Sequence, residues 1–146
     1  MNSPYPRFHL ALPVNDLARA AHFYGELLEC PRGRSSERWI DFDFWGHQLV
    51  VHLVPEVSAV ATNPVDDEQV PAAHFGPILP WEEFEPLVDR LRAADIPFVI
   101  EPVVRFEGRR GEQMTLFVKD PSGNHLKFKS FRNIEMLFAT DGLDYP

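Results

Sequence analysis

Two stretches of the chain open on the same kind of strand and then run through the same order of elements, which narrows the fold more than any other feature. Residues 7–14, Arg-Phe-His-Leu-Ala-Leu-Pro-Val, read as a short strand with Phe8, Leu10 and Leu12 on one face and His9 and Ala11 on the other. Residues 73–79, Ala-His-Phe-Gly-Pro-Ile-Leu, read as a second such strand, and His74 stands 65 residues after His9. Each is followed by an amphipathic helix. The first carries Leu17, Ala20, Ala21, Tyr24, Leu27 and Leu28 behind a cap at Asn15 or Asp16. The second carries Phe84, Leu87, Val88 and Leu91 behind an acidic start, and Pro86 belongs in its first turn, where no backbone hydrogen bond is lost.

Strands follow in both halves. Trp39 to Phe44 alternates with Asp41 and Asp43, Trp45-Gly46-His47-Gln48 reads as a tight turn, and Leu49 to Val54 returns with Val50, His52 and Val54 on one face. In the second half the strands are Phe98 to Phe106, Gln113 to Val118 and His125 to Ser130, with Asp120-Pro-Ser-Gly-Asn124 as the last turn. Residues 55–72, with Pro55, Pro64, Pro71 and Asp66-Asp67-Glu68, read as a linker. The reading is therefore α+β: two strand–helix–strand modules in one domain (7–131), module one about 7–54 and module two about 73–131, with a tail at 132–146. Phe131 to Ala139 reads as a short packing helix and the final residues as frayed. Such a repeat pairs modules that complete each other's core, with helices outside and a curved mixed sheet around a cleft.

Composition sets the class. Hydrophobic residues at 45% and charged residues at 25% suit a globular protein with a core. No apolar run approaches a membrane span, and Met1-Asn-Ser-Pro-Tyr-Pro6 does not resemble a leader. Cys30, the one cysteine, fits a reducing cytoplasm and reads as packing. A net charge of −8 argues against nucleic acid, despite the arginines between Arg105 and Arg110. Open sheet edges point to a homodimer as the partner state.

Candidate chemistry rests on three histidines. His9 and His74 hold matching places, and His52 lies opposite Leu49, Val51 and Leu53, so three imidazoles from three strands are candidates for one metal centre. His22, His47 and His125 read as structural.

The stretches His9-Leu-Ala-Leu-Pro-Val-Asn-Asp-Leu17, Ala21-His-Phe-Tyr-Gly-Glu-Leu-Leu-Glu-Cys30, His74-Phe-Gly76, Leu91-Arg-Ala-Ala-Asp-Ile-Pro-Phe98 and Phe117-Val-Lys-Asp-Pro-Ser-Gly-Asn-His-Leu-Lys-Phe128 resemble the vicinal oxygen chelate superfamily. That superfamily includes glyoxalases, bleomycin- and fosfomycin-resistance proteins and extradiol dioxygenases. The resemblance implies two βαβββ modules with metal ligands on their first and last strands. His9 and His74 match the first-strand positions and His52 lies near a last-strand one. The remaining position, usually Glu in metal-dependent members, is Lys127 here.

An ammonium has no lone pair for a metal and repels a divalent cation. Two outcomes follow. Either His9, His52 and His74 hold Fe, Zn, Ni or Mn and Lys127 swings aside, or Lys127 fills the space and the pocket takes an anionic or oxygen-rich molecule without metal. The resemblance implies, for the first, a metal-dependent lyase, isomerase or dioxygenase acting on adjacent oxygens. For the second it implies a drug- or metabolite-binding protein of the bleomycin-resistance kind, with Trp39, Phe42, Phe44 and Trp45 lining an apolar cleft. Lys127, Arg105, Glu101, Asp43 and Thr115 are the candidate substrate-binding residues in either case.

Overall fold

The computed structural model describes residues 4–65 and 67–140. Met1-Asn2-Ser3, Asp66 of the expected linker and the expected frayed end at 141–146 lie outside the described residues. The chain divides into two compact units, breaking between Ala61 and Thr62, with Asp120–Asn124 grouped in the first.

Unit one is a βαβββ module. It contains β1 (His9–Val14), α1 (Leu17–Ala20), β2 (Arg32–Ser35), β3 (Trp39–Phe44) and β4 (His47–Leu53), with the strands ordered β1-β4-β3-β2. β1 runs parallel to β4, and the other neighbours pair antiparallel. Asp16 caps α1 by accepting from the Arg19 N–H at 2.9 Å. The helix then widens into a π-helical stretch, Ala21–Leu27, in which the Leu28 N–H donates to the Phe23 carbonyl at 3.0 Å. That widening turns Phe23 inward with Ala20, Tyr24 and Leu28, and leaves Ala21 and Leu27 off the buried face expected from a 3.6-residue period. Ile40, Phe42, Leu49 and Val51 of the sheet complete this core, and Cys30 is buried as expected of a packing residue. Phe8 precedes β1 and is exposed.

The tight turn is two residues long. Trp45 and Gly46 have φ of 50° and 87°, and the Asp43 carboxylate accepts the Gly46 N–H at 2.7 Å, while His47 and Gln48 already belong to β4.

Unit two repeats the order with a reduced first strand. Residues 73–79 form two parallel bridges, Phe75 to Leu126 and Ile78 to Lys129, in place of a full strand. The prolines explain this: Pro77 and Pro80 have no N–H to give a ladder. Then come α2 (Trp81–Ala93), β7 (Phe98–Arg105), β8 (Gln113–Lys119) and β9 (His125–Phe131), an antiparallel sheet in that strand order. Phe84, Leu87 and Leu91 of α2 and Leu116, Val118, Leu126 and Phe128 of the sheet are buried, and α2 lies against β9. α2 begins at Trp81, so Pro86 sits in its second turn rather than its first and forfeits one helical hydrogen bond. The burial of Phe84, Leu87 and Leu91 offsets that loss.

The expected linker is partly ordered: β5 (Thr62–Val65) and β6 (Glu68–Pro71) pair as an antiparallel hairpin within unit two. The expected packing helix after β9 is a short 3-10 turn, Ile134–Phe138, that buries Met136. Among the described residues no helix is long and apolar enough to cross a membrane.

Asp120–Asn124 joins unit one for a physical reason. The buried Tyr24 hydroxyl donates to Asp120 at 2.7 Å, the Ser122 hydroxyl bonds the Asn15 side chain at 3.0 Å, and Asn124 Nδ2 donates to the Pro13 carbonyl at 2.8 Å.

Candidate functional site

The sheet face of unit two that turns away from α2 is the wall of a cavity of about 930 Å³. Alternation along the strands puts Leu126, Phe128 and Ser130 on the helix side, and Lys127 and Lys129 on the other. Lys127 pairs with Phe117, Lys129 with Thr115, and Thr115 in turn with Val103. The cavity is lined from this face by Ile100, Arg105, Thr115, Phe117 and Lys127, from the hairpin by Val70 and Pro71, and by His74.

His74 is exposed, and its ring is oriented by the chain just before it. Its Nδ1 lies 2.7 Å from the Pro71 carbonyl oxygen, and since a carbonyl only accepts, Nδ1 carries the proton. The lone pair of the neutral ring is then on Nε2. The imidazole meets the Phe117 ring edge-on, with centroids 5.0 Å apart. Lys127 Nζ lies 5.3 Å from the centre of the same ring. Burial lowers the pKa of Lys127 from the ordinary lysine value, and the positive charges of Lys129 and Arg105 lower it further. Glu101 also lines the cavity, but it is exposed, and its carboxylate lies 3.4 Å from the Arg92 guanidinium.

Of the expected substrate-binding residues, Lys127, Arg105, Glu101 and Thr115 therefore share one cavity. Asp43 does not line it: this residue is in unit one and caps the Trp45-Gly46 turn. Of the four aromatics expected along an apolar cleft, Phe42 and Phe44 are core residues instead, while Trp39 and Trp45 are half-buried and Trp45 meets Phe44 edge-on at 4.7 Å. The hairpin residues Val70 and Pro71 went unrecognised in the sequence. Their signal was a pair of short extended runs flanking Asp66-Asp67, masked by two prolines.

His9 and His52 are exposed residues of the unit-one sheet. His9 Nδ1 is 2.7 Å from Gln48 Oε1, and Gln48 Nε2 donates to Asp41 at 3.3 Å, so the histidine is the donor to Gln48. Register decides which last-strand residue of unit one corresponds to Lys127. In unit two the bridge of Phe75 to Leu126 aligns Gly76, two residues after His74, with Lys127. In unit one Ala11, two residues after His9, pairs with Val50. The counterpart of Lys127 is thus Val50, and His52 lies two residues beyond it, paired with Pro13. Among the described residues, no group of three His, Cys, Asp or Glu side chains is placed to hold a metal ion.

A family model of the glyoxalase/bleomycin resistance protein/dioxygenase superfamily matches residues 8–128. The chain belongs to that superfamily. Among solved structures, the superfamily member glyoxalase/bleomycin resistance protein/dioxygenase from Alicyclobacillus acidocaldarius is 35% identical, with a TM-score of 0.76 over 94% of this chain and 100% of the other. A genomically encoded fosfomycin resistance protein from Listeria monocytogenes is similar in fold at 15% identity, with a TM-score of 0.68 over 93% and 99% of the two chains. A lactoylglutathione lyase from Agrobacterium tumefaciens is likewise similar in fold at 18% identity, with a TM-score of 0.62 over 95% and 100%. A comparison with curated proteins finds no match. Superfamily membership accounts for the α+β modules and leaves the reaction to the site itself.

Proposed function

We propose that this superfamily member binds a small anionic, oxygen-rich molecule in the unit-two cavity without a resident divalent cation. The observation that carries this reading is Lys127 on the cavity wall, with Arg105 lining the same space. An anion that enters meets fixed positive charge in a partly desolvated setting, where charge-assisted hydrogen bonds are strong. Phe117, Ile100 and Val70 supply apolar surface for the ligand's carbon skeleton.

A divalent metal does not fit the donors present. The positions corresponding by register to last-strand ligands are Val50 and Lys127, an aliphatic chain and an ammonium. Neither offers the lone pair a carboxylate would, and Lys127 adds repulsion. His74, oriented by the bond of its Nδ1 to the Pro71 carbonyl, lines the same cavity and adds a ring that can hydrogen-bond the ligand.

The test is elemental analysis of protein purified without an affinity tag. Substoichiometric Fe, Zn, Ni and Mn is the expected result. A stoichiometric metal that disappears in His74→Ala would overturn the proposal and restore the metal-dependent reading through His9, His52 and His74.

A further inference from the structure

The cavity face of the unit-two sheet changes character from one edge strand to the other. Pairing across the three strands aligns Lys127, Phe117 and Ile100 in one row, and Lys129, Thr115 and Val103 in the next. Both rows start on a cation in β9 and end on an aliphatic side chain in β7. Arg105, opposite Gln113, stands one row further on. Two register shifts in β7 build the apolar side. Phe98 pairs with Val118, so strict alternation would put Ile100 on the α2 side as well. The first shift brings Ile100 opposite Phe117 instead, and the second brings Val103 opposite Thr115, so that both side chains line the cavity.

We propose that the ligand of this cavity is an amphiphilic monocarboxylate, with its carboxylate held at β9 by Lys127 and its hydrocarbon body laid across Phe117 toward Ile100 and Val103. This rests on the anion-binding reading above and fixes which way round the ligand lies. Two strand spacings, about 9.5 Å, separate the Lys127 and Ile100 backbones, which suits a medium-chain acid such as octanoate. The hairpin adds Val65 and Val70 to the same cavity. Val65 and Val103 keep 39% and 42% of their surface exposed, apolar area that such a body would cover. Glu101, next to Ile100 and also on the cavity wall, sets a negative charge at the far end and so disfavours a second carboxylate there.

Calorimetry on the full chain in EDTA, with butyrate, hexanoate and octanoate as probes, tests this. Affinity should rise by about threefold per added methylene, at one site per chain. Octanol, which lacks the carboxylate, should bind about tenfold more weakly than octanoate. Suberate, which carries a second carboxylate at the far end, should also bind more weakly than octanoate. Val103→Asn, at an exposed position, should lower the ratio of octanoate to butyrate affinity by about threefold. Equal affinity along the acids, octanol or suberate matching octanoate, no octanoate binding, or a ratio unchanged in Val103→Asn overturns the proposal. If oxalate still binds in that case, the anion-binding reading stands and only the class of ligand is lost. If oxalate does not bind, both fall.

Discussion

Lys127 and His74 flank one aromatic ring, with Lys127 Nζ 5.3 Å and the His74 ring 5.0 Å from the centre of Phe117. This arrangement places an amine side chain and an imidazole against one aromatic ring. Replacing Lys127 with Gln removes the cation and keeps a similar length. Binding of oxalate should weaken by about tenfold or more, equivalent to about 1.5 kcal/mol or more for a charged hydrogen bond. Titration calorimetry reads this directly.

The same group fixes a pH dependence. Lys127 is charged below its pKa, and that pKa lies below the ordinary lysine value because of burial, then Lys129 and Arg105. Oxalate affinity is therefore full at low pH and falls as pH rises through the lowered pKa, earlier than a solvent-exposed lysine would lose its charge. In Lys127→Arg the fall should vanish from that range, since guanidinium keeps its proton. An affinity that stays flat to high pH in the parent protein would contradict the role given to Lys127.

Gly76 lies so close to the Lys127 backbone that a Cβ there would collide with the Lys127 carbonyl oxygen. The close approach is what lets the Lys127 N–H donate to the Phe75 carbonyl at 2.8 Å and holds the His74 segment beside β9. Gly76→Ala should cost about 2–3 kcal/mol in urea unfolding and weaken oxalate binding at the same time.

Much of the fold was legible in the residues. Short runs of aromatic and aliphatic residues bounded by turns marked β3, β4, β8 and β9, and apolar spacing marked α2, which buries Phe84, Leu87 and Leu91 on one face. Of the candidate site, Lys127, Arg105, Thr115 and Glu101 were expected on inward strand faces from alternation and family resemblance, and they line one cavity. Registers between strands were not legible. Val50 and His52 both fit a strand with alternating faces, and only pairing to β1 identifies Val50 as the counterpart of Lys127. The π-helical turn at Ala21–Leu27 was hidden for a similar reason, since apolar residues at Ala21 and Leu27 also satisfy an ordinary helical stripe. Asp120–Asn124 reads as a local turn, and nothing local announces that its side chains bond to Pro13, Asn15 and Tyr24.

That long-range link has a measurable cost when cut. Asp120 accepts from Tyr24 at 2.7 Å and also from the Ser122 and Asn124 backbone N–H groups and Asn124 Nδ2, each at 2.9 Å. Tyr24→Phe removes one donor from a buried carboxylate, so unfolding free energy should fall by about 1–3 kcal/mol. A change near zero would mean that the remaining three bonds satisfy Asp120 alone.

Ser130 gives the opposite sign. It is fully buried on the α2 side of β9, and its hydroxyl has no hydrogen-bond partner among the described residues. Ser130→Ala removes a polar group whose burial is uncompensated and should stabilise the protein by about 1 kcal/mol in urea denaturation.

In the proposed function, fixed protein cations, and not a metal, recognise the ligand's oxygens. Titration of oxalate into the protein by calorimetry, with and without EDTA, tests it most directly. Unchanged affinity in EDTA, with binding lost in Lys127→Gln, is the predicted result. Binding that appears only after Zn, Ni, Mn or Fe is added, and that tolerates the loss of Lys127, would contradict it.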